Sequence, residues 1–211
     1  MPTLTHQSAT DHVLTLGDGR RLGYTAYGDP EGLPVLNCHG GLLCRLDVEP
    51  ADEAARRLGI CLVSPDRPGV GLSGRQPGRS TVDWAADVRE LVDQLGIDRF
   101  AVMGWSLGGQ YAAALAARLG DRVTRTAVVA GCVPLDEPVA LSQLNAMDLR
   151  FGRLSRHCPP AARAAFRTMA GVAAHRPGMM ARASGREACP ADQAAYLAYA
   201  ELLGRAMTEG L

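Results

Sequence analysis

The chain contains no lysine: its 22 basic residues are all arginine, and 22 Asp and Glu balance them to a formal net charge of zero. No net field is available to hold nucleic acid or an anionic lipid surface, so a small-molecule partner is expected. A leader is not expected either. The opening Met-Pro-Thr-Leu-Thr-His-Gln has neither a basic n-region nor an apolar h-region, and no apolar run reaches the roughly 20 residues of a membrane span. A cytoplasmic protein with no membrane partner is the expectation. Cys-x-x-Cys is also absent among the cysteines at 38, 44, 61, 132, 158 and 189. Cys38 and Cys61 lie in apolar strand-like runs, so buried free thiols are expected. Cys38-His39 with Cys44 matches no zinc spacing, and neither a metal nor a cofactor is called for.

What is present suits one α/β domain: 211 residues, 47% of them hydrophobic. Residues 12–16 and 21–27 read as a hairpin turning on Gly17-Asp18-Gly19. A short strand at 35–38 ends in His39-Gly40-Gly41. A helix follows at about 48–58, then a strand at 60–63, a loop at 65–79 and a helix from Thr81 to Leu95, capped by Ser80 with Asp83 and stopped by Gly96. The strand at 100–103, a helix ending near Gly120 and a strand at 123–130 complete the alternation. This pattern predicts a mostly parallel sheet of about six strands. From Pro134 it changes: residues 136–210 hold no convincing strand but several helical stretches, including 161–169 and 191–203, punctuated by Pro159, Pro160, Pro177 and Pro190. The expected division is a core at 1–135 and a helical cap at 136–211.

The densest signal is Gly104-Trp105-Ser106-Leu107-Gly108, between the apolar run 100–103 and the Ala-rich run 111–119. A serine hydroxyl is a weak nucleophile that needs exposure, a base and N–H donors for the oxyanion. A strand, a strained turn and a helix supply the first and third, as in a nucleophile elbow. Gly104 and Gly108 are small because a Cβ would clash where backbones approach. Two glycines after His39 likewise let backbone N–H groups form an anion-binding concavity. His39 itself, which ends a strand before the nucleophile, reads as a structural hydrogen bonder rather than the base. Gly69 to Gly74 fits G-x-G-x-x-G, but Arg75-Gln76-Pro77-Gly78-Arg79 forbids the helix a nicotinamide site needs, and that cofactor is rejected.

The hairpin, His39-Gly40-Gly41, Asp66-Arg67-Pro68-Gly69-Val70-Gly71-Leu72-Ser73 and Gly104-Trp105-Ser106-Leu107-Gly108-Gly109, in this order, resemble the α/β-hydrolase superfamily over about residues 12–135. Small esterases, carbon–carbon-bond hydrolases and non-metal haloperoxidases are the most similar members. The resemblance implies Ser106 as nucleophile, the Gly41 and Leu107 N–H groups as oxyanion hole, and Gly40 and Trp105 as substrate-binding residues. It also implies a small ester or related acyl substrate. Asp66 and Arg67 are read as structural.

The superfamily's acid and histidine follow the serine in chain order. Only His157 and His175 do so here, both in Arg-rich helical stretches that read as exposed. The expectation is that the triad histidine lies beyond residue 211 or on a second chain. Asp136, with Glu137 behind it, stands where some relatives carry the acid; its competing reading is the N-terminus of the first cap helix. The alternative function is an inactive short form that binds a ligand or partner; perhydrolysis and acyl transfer also remain open. Without later strands, the strand at 123–130 would present a bare apolar edge. Cover by a C-terminal fragment, an exchanged segment or a second copy is therefore expected.

Overall fold

A computed structural model describes residues 10–131, 142, 146–186 and 189–211. The alternating segments β1 (Asp11–Thr15) and β2 (Arg21–Gly28) pair as an antiparallel hairpin. Gly19 supplies the positive φ of its turn, at 84°. Four more strands follow: β3 (Leu33–Cys38), β4 (Ile60–Pro65), β5 (Phe100–Trp105) and β6 (Val123–Val129). The sheet runs β1-β2-β4-β3-β5-β6, antiparallel up to β4 and parallel from β4 to β6. It is the mostly parallel six-stranded sheet that the alternation of strands and helices predicts.

Helices α1 (Asp52–Arg57), α2 (Trp84–Gln94) and α3 (Gly108–Arg118) connect the parallel strands. In α2 the buried residues Trp84, Val88, Leu91 and Val92 fall at helical spacing and form one stripe. That stripe meets Leu36, Val63, Phe100, Val102, Ala112 and Leu115 in the main core. Each fully buried Leu, Val or Phe among them contributes about 1.5–3 kcal/mol. Gly96, at φ +67°, ends α2: its N–H donates to the Asp93 carbonyl and that of Ile97 to Val92, a Schellman closure. The start of α2 differs from the sequence expectation. Regular helix begins at Trp84, and the Asp83 carboxylate reaches back to accept from the Ser80 N–H and hydroxyl. The helix expected at 48–58 is also two pieces, a 3₁₀ turn over Arg45–Ala51 and then α1, because Pro50 has no N–H for an α-helical bond.

The described residues from 146 onward are helical: α4 (Ala146–His157), α5 (Pro159–His175), α6 (Pro177–Ser184), α7 (Pro190–Ala198) and α8 (Ala200–Glu209). Prolines open α5, α6 and α7, where a missing N–H costs nothing. The stretch 191–203 is broken at Tyr199, which separates α7 from α8. The expected core–cap boundary at 135/136 lies outside the described residues.

A buried cation fixes α8 to the sheet. Arg45 is only 1% exposed and its guanidinium meets Asp11 at 2.5 Å, Glu209 at 2.8 Å and Asp66 at 3.3 Å. Charge this deep needs such partners, since desolvating it alone costs several kcal/mol. Its hydrogen bonds hold the Asp11 carboxyl below the usual carboxylate range, whereas burial pushes Asp66 up. Arg45 thus ties together β1, the loop after β4 and the last helix.

The cysteines are less uniformly buried than expected. Cys38 and Cys44 are buried and Cys61 half-buried, but Cys158 and Cys189 are exposed, standing just before the prolines that open α5 and α7. None of the described helices is long and apolar enough to cross a membrane.

Candidate active site

At the end of β5 the chain turns sharply at Ser106, which sits at φ +51°. A non-glycine residue in this region is strained by about 1–3 kcal/mol and persists only where its surroundings dictate it. Here they do. The Ser106 N–H donates to the Val129 carbonyl of β6 at 3.0 Å, and the Ser106 carbonyl accepts from Gly109 at 3.0 Å. Close backbone packing holds the turn from both sides: a Cβ on Gly104 would lie 2.3 Å from the Gly108 carbonyl oxygen, and one on Gly108 only 1.9 Å from that of Cys38. The strand, strained turn and helix expected from the sequence are present, with Ser106 half-buried at the junction.

Beside the turn lies the loop after β3. A Cβ on Gly41 would stand 3.5 Å from the Leu107 side chain, so the two expected oxyanion residues are neighbours. The N–H groups at the start of a helix such as α3 have no intrahelical acceptor. His39 is fully buried; its Nε2 accepts from the Arg67 N–H at 3.2 Å, so Nδ1 carries the hydrogen directed at the Gly40 carbonyl, 3.0 Å away. Burial first, then the Arg67 charge, holds its pKa well below the usual histidine value. A neutral ring with both nitrogens engaged is a strut for this loop.

Arg67 completes that strut. Its guanidinium is buried, lies 4.8 Å from the centre of the Tyr111 ring on α3, and donates to the carbonyls of His39 and Gly40, the latter at 2.9 Å. The Gly40 carbonyl and the Gly41 N–H belong to one peptide group. A cation bonded to the oxygen polarises that group and makes the N–H a stronger donor. Burial pulls the Arg67 pKa down from its ordinary value.

Asp47 is a residue that sequence reasoning missed. From the 3₁₀ turn its carboxylate accepts from the Gly40 N–H at 3.0 Å, the Trp105 indole N–H at 2.7 Å and the Asn37 amide at 2.9 Å. It therefore joins the loop after β3 to the residue preceding Ser106. Burial nevertheless raises its pKa. Nothing in the local pattern around Asp47 signals this role, because the three donors come from β3, its following loop and β5.

Of the other sequence candidates, Gly40 and Trp105 belong to this cluster and the rest stand apart from it. Gly40 and Trp105, expected to contact substrate, have their polar groups committed inside the protein, and Gly40 lies so close to the indole that a Cβ would stand 2.8 Å from Cζ2. Asp66 accepts from the N–H groups of Arg45 and Leu72, consistent with a structural role. Residues 69–74 form turns and open no helix. His157 and His175 are both exposed, and His175 Nδ1 lies 2.8 Å from the Gly171 carbonyl of its own helix. Asp136 and Glu137 lie outside the described residues.

Comparison with known proteins identifies the fold. The profile of the alpha/beta hydrolase fold matches residues 34–161, and the chain belongs to that family. It is 37% identical over 94 residues to haloalkane dehalogenase 2 of Mycobacterium tuberculosis, covering 44% of this chain and 32% of that protein. It is 40% identical over 94 residues to a pimeloyl-[acyl-carrier protein] methyl ester esterase of Legionella pneumophila, covering 44% and 36%. The chain thus spans about a third of the length of these curated relatives. A carboxylesterase structure from Nitrososphaera gargenis superposes with a TM-score of 0.66 at 18% identity, over 94% of this chain and 67% of that one, which shows the shared fold.

Proposed function

We propose that the chain carries the nucleophile half of a serine hydrolase acting on a small ester or related acyl substrate. The observation that carries the reading is Ser106 at φ +51° between β5 and α3, with Gly41 next to the Leu107 side chain. Ser106 Oγ attacks the ester carbonyl, and its oxygen gathers negative charge facing those two N–H groups. A histidine takes the hydroxyl proton and delivers it to the departing alkoxide, leaving an acyl-Ser106 that water resolves. Resolution by another nucleophile would make the same site an acyl transferase or perhydrolase. The methyl ester esterase among the relatives supports an ester substrate. No metal or other cofactor is needed for this sequence of steps.

His39 is engaged on both nitrogens and the two later histidines are exposed. We assign the base to a histidine outside residues 1–211, on further sequence or on a second, different chain. The same segment would cover β6, the last strand of the described sheet, where Val128 and Val129 are 51% and 54% exposed. The exposed histidines also favour a second reading, a hydrolase fold that binds a ligand without turning it over.

Turnover of a short p-nitrophenyl ester separates the possibilities. Purified 1–211 should work below about 0.01 s⁻¹, against the roughly 10 s⁻¹ typical of a complete enzyme. Fast saturable turnover, with mass spectrometry showing no second peptide, would place the base inside the chain. Complete inertness of Ser106 would favour the binding module.

A further inference from the structure

Resting on the acyl-serine reading, we propose that the substrate's acyl group is an unbranched apolar chain of about four to eight carbons. The seat is a cavity of about 230 Å³ between the loop after β3 and the helices α5, α6 and α8.

Gly41 forms part of its wall, joined by Leu43 from the same loop, Met169 of α5, Met180 of α6, and Leu203 and Met207 of α8. A carbonyl held at the Gly41 N–H would therefore direct its tail along these side chains. Every described residue lining the cavity is uncharged, so a carboxylate or ammonium on the tail would lose water there without gaining a charged partner. Unbranched methionines adapt to a flexible alkyl chain.

Two further features mark this wall as built for occupancy. Leu42, immediately after Gly41, lies in the cavity wall at φ +63°, a strained conformation for a leucine. The roof is fixed to the floor by the Arg45–Glu209 pair at 2.8 Å and by Arg205 with Glu49 at 2.5 Å. The size sets the chain length: an apolar cavity of about 150 Å³ holds a six-carbon benzene, so this one suits a somewhat longer chain and not a long fatty acyl group.

Calorimetric titration of the 211-residue chain with uncleavable N-methylamides tests this without requiring turnover. Affinity should rise about fourfold per added methylene from N-methylbutanamide to N-methyloctanamide, then stop rising at N-methylhexadecanamide. Leu203→Gln and, independently, Met180→Gln should each weaken the octanamide at least tenfold while circular dichroism stays unchanged. If one variant fails to fold, the other decides. A flat series, or octanamide binding unaffected by a folded variant, overturns the assignment. Fluorophosphonate labelling of Ser106 is scored separately: a graded amide series with an unreactive serine would leave the cavity in place and remove the hydrolase reading. A labelled serine with a flat series would do the reverse.

Discussion

Gly108→Ala should leave a protein that melts at least about 10 °C lower or fails to fold. The added Cβ would lie 1.9 Å from the Cys38 carbonyl oxygen and 2.8 Å from that of His39. Both obstacles are backbone, one at the end of β3 and one in the loop beside the serine, so neither can rotate away. Overpacking ordinarily costs about 1–3 kcal/mol, and immovable backbone puts this case above that range. Two other glycines calibrate the measurement. Gly78, at φ +73° with nothing within 4 Å, should lose about 1 kcal/mol on substitution by Ala through conformation alone. Gly152, inside α4 and equally unobstructed, should gain about 0.5–1 kcal/mol. Thermal melts followed by circular dichroism would rank the three, and a Gly108→Ala protein melting within 2 °C of the parent would contradict the packing of the turn.

Ser106→Ala should remove catalysis without touching stability. The substitution keeps the Cβ and deletes only the hydroxyl, in a turn whose φ of +51° serine and alanine tolerate alike, so the melting temperature should shift by no more than about 2 °C. The effect on ester turnover depends on whether the base is present. With a histidine supplied, the loss should reach about 10³-fold or more; in the 211-residue chain alone it should be at least about tenfold, because less catalysis is there to lose. Equal turnover by parent and variant would move the nucleophile elsewhere. The pairing of the two substitutions matters: Gly108→Ala should lose activity through the fold, Ser106→Ala through chemistry.

Local pattern carried much of this into the sequence. The alternating hairpin and the apolar run before Gly104 each express strand geometry, and both appear in the structure as strands, the first strand of the hairpin one residue earlier than the pattern puts it. Ser106 was legible for the same reason, since a strand, a Gly-x-Ser-x-Gly turn and a helix are contiguous. Asp47 and Arg45 were not. Asp47 serves three donors from β3, its following loop and β5, and Arg45 meets carboxylates from β1, the loop after β4 and α8, partners brought together by tertiary packing. Smaller departures have local causes: Pro50 converts the expected first helix into a 3₁₀ turn followed by α1.

The central claim is that Ser106 is the nucleophile of a site whose histidine comes from outside this chain. Intact-mass spectrometry after incubation with an alkyl fluorophosphonate tests it most directly, with imidazole added in graded amounts as a diffusible base. The account predicts a single adduct per chain, mapped to Ser106 by peptide analysis, forming slowly alone, faster as imidazole rises, and never in Ser106→Ala. An adduct on another residue, or no adduct on Ser106 at any imidazole concentration, would contradict it.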